Sequence, residues 1–123
     1  MDTDCSSFKR EVKPTKQIGD EAEDKAVDFL RTKGYQVLER NYRYKRSEID
    51  IIAKHENVLH IVEVKYRKNN DFGHPESAVN SKKEEMISQG AIAYMEANNW
   101  LGFVQYDIVA ITGKELVFFE DFM

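Results

Sequence analysis

The stretch S-E-I-D-I-I-A-K-H-E-N-V-L-H-I-V-E-V-K-Y-R, residues 47–67, contains two short runs rich in Ile and Val on either side of the dipeptide Glu56-Asn57. β-Branched residues favour strands, and a two-residue connection between two such runs is typical of a tight antiparallel hairpin. We therefore predict strands over residues 48–54 and 58–66. This hairpin decides the fold and the placement of the charged residues that its strands carry.

The hairpin register predicts that four charged side chains share one side of the sheet. With a two-residue turn, Asp50 faces Glu63 and Glu48 faces Lys65. Directly opposed residues have β-carbons about 5 Å apart. Because side chains alternate along a strand, the other side carries apolar residues ready for burial. These are Ile49, Ile51, Val62 and Val64. A slip of one residue would separate Asp50 from Glu63, so the register is a testable prediction.

Two facing carboxylates need a cation. At about 5 Å and an effective dielectric constant near 20, Asp50 and Glu63 would repel by roughly 3 kcal/mol. Lys65 supplies one positive charge, and a hard divalent ion would supply two more. We predict that Asp50 and Glu63 bind Mg²⁺ or Mn²⁺, which prefer oxygen ligands and keep several waters. The alternative is that Glu48 and Lys65 form a cross-strand ion pair while the other two acids take backbone or Arg partners.

The rest of the chain predicts two helices and three more strands. An apolar stripe with a helical period indicates a helix over 15–33 that stops at Gly34, and a second stripe indicates a helix that begins after Ser81 and ends around 98–99. Strands are expected over 35–43, 103–111 and 115–119. The order is α-β-β-β-α-β-β, an α/β fold with a mixed sheet and helices packed on it. Residues 1–15 are polar and aperiodic and are predicted to form a flexible arm, with a single domain over 16–123.

Length and composition exclude several classes of protein. With 123 residues and 14.4 kDa, the chain fits one domain that can bury a core. No apolar run reaches the roughly 18 residues that a membrane span needs, and no basic-then-apolar leader precedes the first charged segment. The one cysteine, Cys5, permits neither an internal disulfide nor a Cys-based zinc site. We therefore expect a cytoplasmic protein with no membrane partner.

The net charge of −4 and the pI near 5.4 argue against a general polyanion binder. The middle of the chain nevertheless has a local excess of basic residues. These are Arg40, Arg43, Lys45, Arg46, Lys65, Arg67 and Lys68. They form either a nucleic-acid-binding surface or simply a solvated face. Glu23 borders the buried stripe of the first helix, and Lys83 lies at the buried edge of the second, where it could reach a phosphate or remain a surface lysine.

Taken together, these motifs resemble the PD-(D/E)XK nuclease pattern: an acid in the first helix, Asp on one strand and Glu-x-Lys on the next. More closely, the chain resembles the small bacterial YraN-like family, which is related to archaeal Holliday-junction resolvases. The matching positions cover nearly the whole chain beyond the N-terminal arm. They are 19–23 with Ala26, 34–35, Asn41, 48–53, 61–65 with Arg67, Lys83 with Ala91 and Tyr94, and 106–110. One departure is Ser47, where the family usually has glycine.

The resemblance implies a restriction-endonuclease-like fold and a divalent-metal nuclease site. Asp50 and Glu63 would be the metal ligands, Lys65 would orient or activate the attacking water, and Glu23 would assist from the first helix. The predicted function is hydrolysis of phosphodiester bonds in DNA, including branched or damaged DNA. The predicted nucleic-acid-binding residues hold the phosphate backbone without reading sequence. They are Arg43, Lys45, Arg46, Arg67, Lys68 and Lys83.

Two other functions are compatible with the same residues. The chain could be a non-catalytic nucleic-acid-binding module that uses the basic surface, or a protein-interaction domain that keeps the nuclease fold without the activity. A domain this small covers one strand at a time, so two coordinated cuts in a junction would require a homodimer.

Overall fold

The computed structural model describes residues 15–67, 81–113 and 115–121. The elements are α1 (Thr15–Thr32), β1 (Gln36–Tyr44), β2 (Ser47–His55), β3 (Val58–Tyr66), α2 (Ser81–Ala97), β4 (Phe103–Ile111) and β5 (Leu116–Phe119). This confirms the predicted order and the mixed α/β class, which is compatible with a restriction-endonuclease-like fold. The predicted arm up to Pro14, the predicted contact Lys68 and the loop 69–80 lie outside the described residues. In the part of the chain that is described, neither helix has the length and apolar composition that a membrane span needs.

The five strands form one sheet in the order β1-β2-β3-β4-β5. The β3–β4 pair is parallel and the other three pairs are antiparallel. A parallel pair needs a crossover connection, and α2 lies between β3 and β4 in the chain. The helices pack against the sheet in two separate apolar clusters, one with α1 and one with α2.

The predicted hairpin register is confirmed. His55 pairs with Val58, and the ladder continues to Ile51 and Val62. The two turn residues have φ angles of 52° and 64°, as a type I′ turn requires at both central positions. The register therefore sets Asp50 against Glu63 one step beyond the last paired residues.

The strict alternation predicted for β2 is wrong at one residue. Ile51 packs in the α1 cluster as expected, but Ile49 packs in the α2 cluster together with Ile52. In β1, Asn41 lies between the partners of Ile49 and Ile51 and has a left-handed φ of 54°. This distortion of the neighbouring strand accompanies the change of side. Asp50 therefore stands where β2 switches from one side of the sheet to the other.

Close packing of α2 on β2 depends on Gly90. A β-carbon at Gly90 would clash with Ser47 Oγ and would lie 3.1 Å from Ser47 Cβ and 3.2 Å from Ile49 Cδ1. Ser47 is buried, and among the described residues its hydroxyl has no hydrogen-bond partner. Ser47 of β2 is thus directly opposed to a glycine of α2.

This contact predicts a coupling between the two positions. Gly90→Ala should lower the free energy of unfolding by about 2 kcal/mol through overpacking. Ser47→Ala removes an orphaned hydroxyl and should leave stability unchanged or raise it by up to about 1 kcal/mol. In urea titrations, the double variant should be at least about 1 kcal/mol more stable than the sum of the two single effects predicts. Simple addition of the two single effects would contradict this account of the packing.

Candidate active site

Asp50 lies at the point where β2 and β3 stop pairing. Its Oδ2 accepts a hydrogen bond of 2.8 Å from the backbone N–H of Val64. Burial raises the pKa of Asp50 to about 6, against the opposing effect of that hydrogen bond. The negative charges of Glu63 and Glu23 add to the rise in pKa. The carboxyl group is thus held in place by β3 and lies near two further acids.

Glu63 on β3 is the second acid of the site. Its side chain is only 12% exposed and forms ion pairs with Lys83 of α2 and, at 3.8 Å, with Lys65. The alternative ion pair of Glu48 with Lys65 is not formed, because Lys65 pairs with Glu63 while Glu48 pairs with Arg43 at 3.3 Å. The same alternative also predicted a backbone or arginine partner for Asp50, and the hydrogen bond from the Val64 N–H is such a backbone partner.

Lys65 is held among charged groups at the end of β3. Its pKa is lowered, first by burial and second by the positive charge of Lys83. Its side chain is 25% exposed, so the ammonium is partly desolvated and still accessible. Such a group can stabilise a developing negative charge and can exchange a proton more readily than an exposed lysine.

Asp50 and Glu63 line one cavity of about 230 Å³, which we name the α2-side cavity. Its other lining residues are Arg46, Glu48, Lys83, Met86 and Ile87. Across the described ranges, no three His, Cys, Asp or Glu side chains converge closely enough to form a complete protein cage for a metal ion. Mg²⁺ needs no such cage, because one or two carboxylates, waters and a substrate phosphate commonly complete its coordination. The two acids therefore fit a hydrated divalent ion.

A second cavity of about 300 Å³, the α1-side cavity, lies on the other flank of Asp50. Glu23 reaches it from α1 and is 7% exposed, so it is not a solvated helix-edge residue. Its Oε1 accepts hydrogen bonds from Arg40 and Asn41 of β1. The remaining lining residues are Gly19, Asp20, Ala22, Glu48, Val64 and Tyr66.

Of the predicted basic residues that the structure describes, only two line a cavity. Arg46 and Lys83 line the α2-side cavity beside the acids. Arg43 lies against Glu48, which lines both cavities. Arg67, near Lys65, donates to the carbonyl of Tyr66 at 3.1 Å. Lys45 lies in the β1–β2 turn with its Nζ 5.3 Å from the centroid of the Tyr44 ring. Like Arg43 and Arg67, it lines neither cavity.

The sequence interpretation missed two polar arrangements. One is the pair of β1 residues that bind Glu23. The other is a buried contact of 2.7 Å between His60 Nδ1 and Asp107 Oδ2. Asp107 Oδ1 also accepts from Gln105 and from the backbone of Asp121. A histidine among the apolar residues 58–62 and an aspartate directly before the apolar run 108–111 were the available signal for this second arrangement. It lies in the core rather than in either cavity.

Comparison with known proteins identifies the family. The model of the family described as "Uncharacterised protein family UPF0102" matches residues 22–111. A UPF0102 protein of Cytophaga hutchinsonii is 47% identical over 100 residues, covering 81% of this chain and 88% of the relative. A UPF0102 protein of Thermodesulfovibrio yellowstonii is 40% identical over 105 residues, covering 85% and 94%. Because the match covers most of the chain, including α2, the hairpin and the acids Glu23, Asp50 and Glu63, the chain belongs to the UPF0102 family, which confirms the YraN-like assignment made from the sequence.

Proposed function

We propose that this protein is a divalent-metal-dependent endonuclease that hydrolyses phosphodiester bonds in DNA, including branched or damaged DNA. One observation carries the proposal: Asp50 and Glu63 line the same open cavity as the cationic residues Arg46 and Lys83. Carboxylates bind the cation that phosphoryl chemistry needs, and lysine and arginine bind the phosphate. The α2-side cavity thus combines the two kinds of group that a phosphodiesterase requires.

In this proposal, Asp50 and Glu63 hold Mg²⁺ or Mn²⁺. When bound, the ion would supply Lewis acidity toward the phosphate and make a water more acidic. Lys65 lines neither cavity, but its Nζ lies 3.8 Å from Glu63 Oε2. From there it would stabilise the negative charge that develops on a phosphate bound beside Glu63. Its lowered pKa also suits it to take up or release a proton at that nitrogen. Arg46 and Lys83 would orient the phosphate at the cavity mouth.

The charge distribution supports a nucleic-acid partner despite the net charge of −4. Arg43, Arg46 and Arg67 are near the acids, and all three are at least partly exposed. Guanidinium groups bind phosphates in a bidentate manner and carry no sequence preference of their own. We therefore expect the protein to recognise DNA structure rather than base sequence. We also propose that it acts in the cytoplasm, and that it forms a homodimer where two cuts are coordinated.

The decisive experiment titrates Mg²⁺ and Mn²⁺ against purified protein on linear duplex, single-stranded, flapped and four-way-branched DNA. We expect cleavage that requires the metal, is abolished by EDTA, and favours at least one of the non-duplex substrates. Ca²⁺ serves as the control ion that supports binding with little hydrolysis. If no substrate is cut at any metal concentration, the enzymatic proposal is wrong.

A non-catalytic nucleic-acid-binding module is the second candidate. It is favoured by the ion pairs of Glu63 with Lys83 and Lys65, which already neutralise the acid without a metal. This function predicts DNA binding that weakens steeply with added salt and does not depend on divalent ions. Absence of DNA binding at low salt would favour the protein-interaction alternative instead.

A further inference from the structure

Three N–H donors converge on a single oxygen of Glu23. Arg40 donates to Oε1 from Nε at 3.1 Å and from Nη2 at 2.9 Å, and Asn41 donates from Nδ2 at 3.0 Å. The other carboxylate oxygen, Oε2, accepts no hydrogen bond from the described residues. Glu23 lines the α1-side cavity together with Asp50. Oε1 is therefore fixed by the three donors, while Oε2 can bind a ligand in the cavity.

The backbone at Asn41 is held in a conformation that suits this role. Its φ of 54° is left-handed, which costs an L-residue about 1–2 kcal/mol, although asparagine tolerates it better than most residues do. Asn41 also lies beside Asp50, between the β1 residues that pair with Ile49 and Ile51. Strain of this kind persists where surrounding contacts maintain it, and it is frequent at functional sites.

Arg40 both orients the carboxylate of Glu23 and compensates its negative charge. Its Nη2 also contacts Asp24 at 2.7 Å, so the guanidinium joins two consecutive residues of α1 to β1. Without this cation, the buried carboxylate of Glu23 would face the Asp50 carboxylate across the same cavity with no compensating charge among its hydrogen-bond partners. The fork geometry of arginine also fixes the plane of the acid in a way that a lysine could not.

We infer that Arg40 and Asn41 are positioning residues, which orient Glu23 so that its Oε2 acts on water or cation held beside Asp50. This inference rests on the proposed nuclease function and assigns to β1 a part in the site. Outer hydrogen-bond partners of this kind typically change metal affinity or activity about 10- to 100-fold when removed.

The left-handed backbone allows a clean test. Asn41→Gly keeps a residue that accepts φ 54° and removes the side chain with its amide donor. Asn99→Gly is the matched control, because Asn99 has a φ of 53° and lines neither cavity. For each protein we would measure Mn²⁺ affinity by calorimetry, kcat and KM for DNA cleavage, and unfolding in urea.

We expect Asn41→Gly to lower kcat by about 10-fold and to weaken Mn²⁺ binding severalfold, with KM for DNA within about twofold of wild type. Asn99→Gly should leave all three unchanged. Because Asn41 acts through Glu23, adding Asn41→Gly to a Glu23→Gln protein should cause no further loss of kcat. Arg40→Lys, which keeps the charge and loses the fork, should also lower kcat, and it decides the question if Asn41→Gly does not fold.

A stability loss without any change in kcat or Mn²⁺ affinity would overturn the inference and leave the proposed function standing. Equal losses from Asn41→Gly in the wild-type and Glu23→Gln backgrounds would overturn it as well. A wild-type protein that neither binds Mn²⁺ nor cleaves DNA would reject the proposed function first, and the inference with it.

Discussion

Asp50→Asn should give a protein that is inactive as a nuclease and yet more stable than wild type at pH 8. The wild-type carboxyl is ionised at that pH although its pKa in the folded protein is about 6, compared with a reference value of 3.8. The difference corresponds to about 3 kcal/mol by which the surroundings of Asp50, chiefly through burial, disfavour its charged form. Asparagine is neutral, has nearly the same shape, and can still accept the hydrogen bond from Val64.

The sign of the pH dependence follows from proton binding. Between about pH 4 and pH 6 the folded wild-type protein binds a proton at Asp50 that the unfolded chain has released. Ionisation of Asp50 therefore lowers the free energy of unfolding of the wild-type protein as pH rises through this interval, and the loss persists at higher pH. The stability advantage of Asp50→Asn should be absent below about pH 4 and should reach as much as about 3 kcal/mol above pH 6.

Urea unfolding from pH 3.5 to 8 in EDTA measures this directly. Asp28→Asn is the matched control, since it makes the same change at an exposed position of α1 and should shift stability by less than about 0.5 kcal/mol. Mg²⁺ or Mn²⁺ should then stabilise wild type and not the Asp50 variant. Cleavage should fall by more than about 100-fold. A variant less stable than wild type at pH 8 would refute the proposed environment of Asp50.

Glu63→Gln should affect cleavage and DNA binding in opposite directions. The change removes a predicted metal ligand, so we expect cleavage to fall by about 100-fold or more. It also removes the negative charge that pairs with Lys83 and Lys65. The cavity then carries one negative charge fewer to repel phosphates, so DNA affinity in Ca²⁺-free, low-salt buffer should rise by about 3- to 10-fold. The dependence of affinity on salt should become steeper by about one counterion.

The control is Glu85→Gln, which makes the same charge change at an exposed position of α2. It should leave cleavage within about twofold of wild type and alter DNA affinity less than Glu63→Gln does. Fluorescence anisotropy over a range of salt concentrations, together with single-turnover cleavage, gives both quantities. If Glu63→Gln cleaves normally, Glu63 is a structural ion-pair partner and the nucleic-acid-binding module becomes the better description.

The hairpin could be predicted almost completely from the sequence. Ile and Val runs indicate the strands, and the two-residue connection at Glu56-Asn57 sets the register, because a turn of fixed length leaves only one pairing of the residues beside it. The register in turn brings Asp50 and Glu63 together. The element order followed for the same reason, since helix stripes, a stop at Gly34 and short β-branched runs are all local signals.

The side of the sheet that Ile49 faces could not be predicted in this way. Period-two alternation assumes an undistorted neighbouring strand, and β1 carries the left-handed Asn41 beside this point of β2. A single asparagine within a polar strand carries no local signal that its φ will be positive. The prediction for Ile49 was therefore wrong, although those for Ile51, Val62 and Val64 were confirmed.

The sequence by itself determined the strands, the hairpin register and membership of the family, because these depend on neighbours along the chain and on residue types at fixed spacing. Only the tertiary structure decided the partners of the acids. Lys83 reaches Glu63 from 20 residues away, and Arg40 reaches Glu23 from 17 residues away. Such contacts depend on how each helix packs on the sheet, and the free energy of packing is shared among many apolar residues that no short stretch of sequence contains.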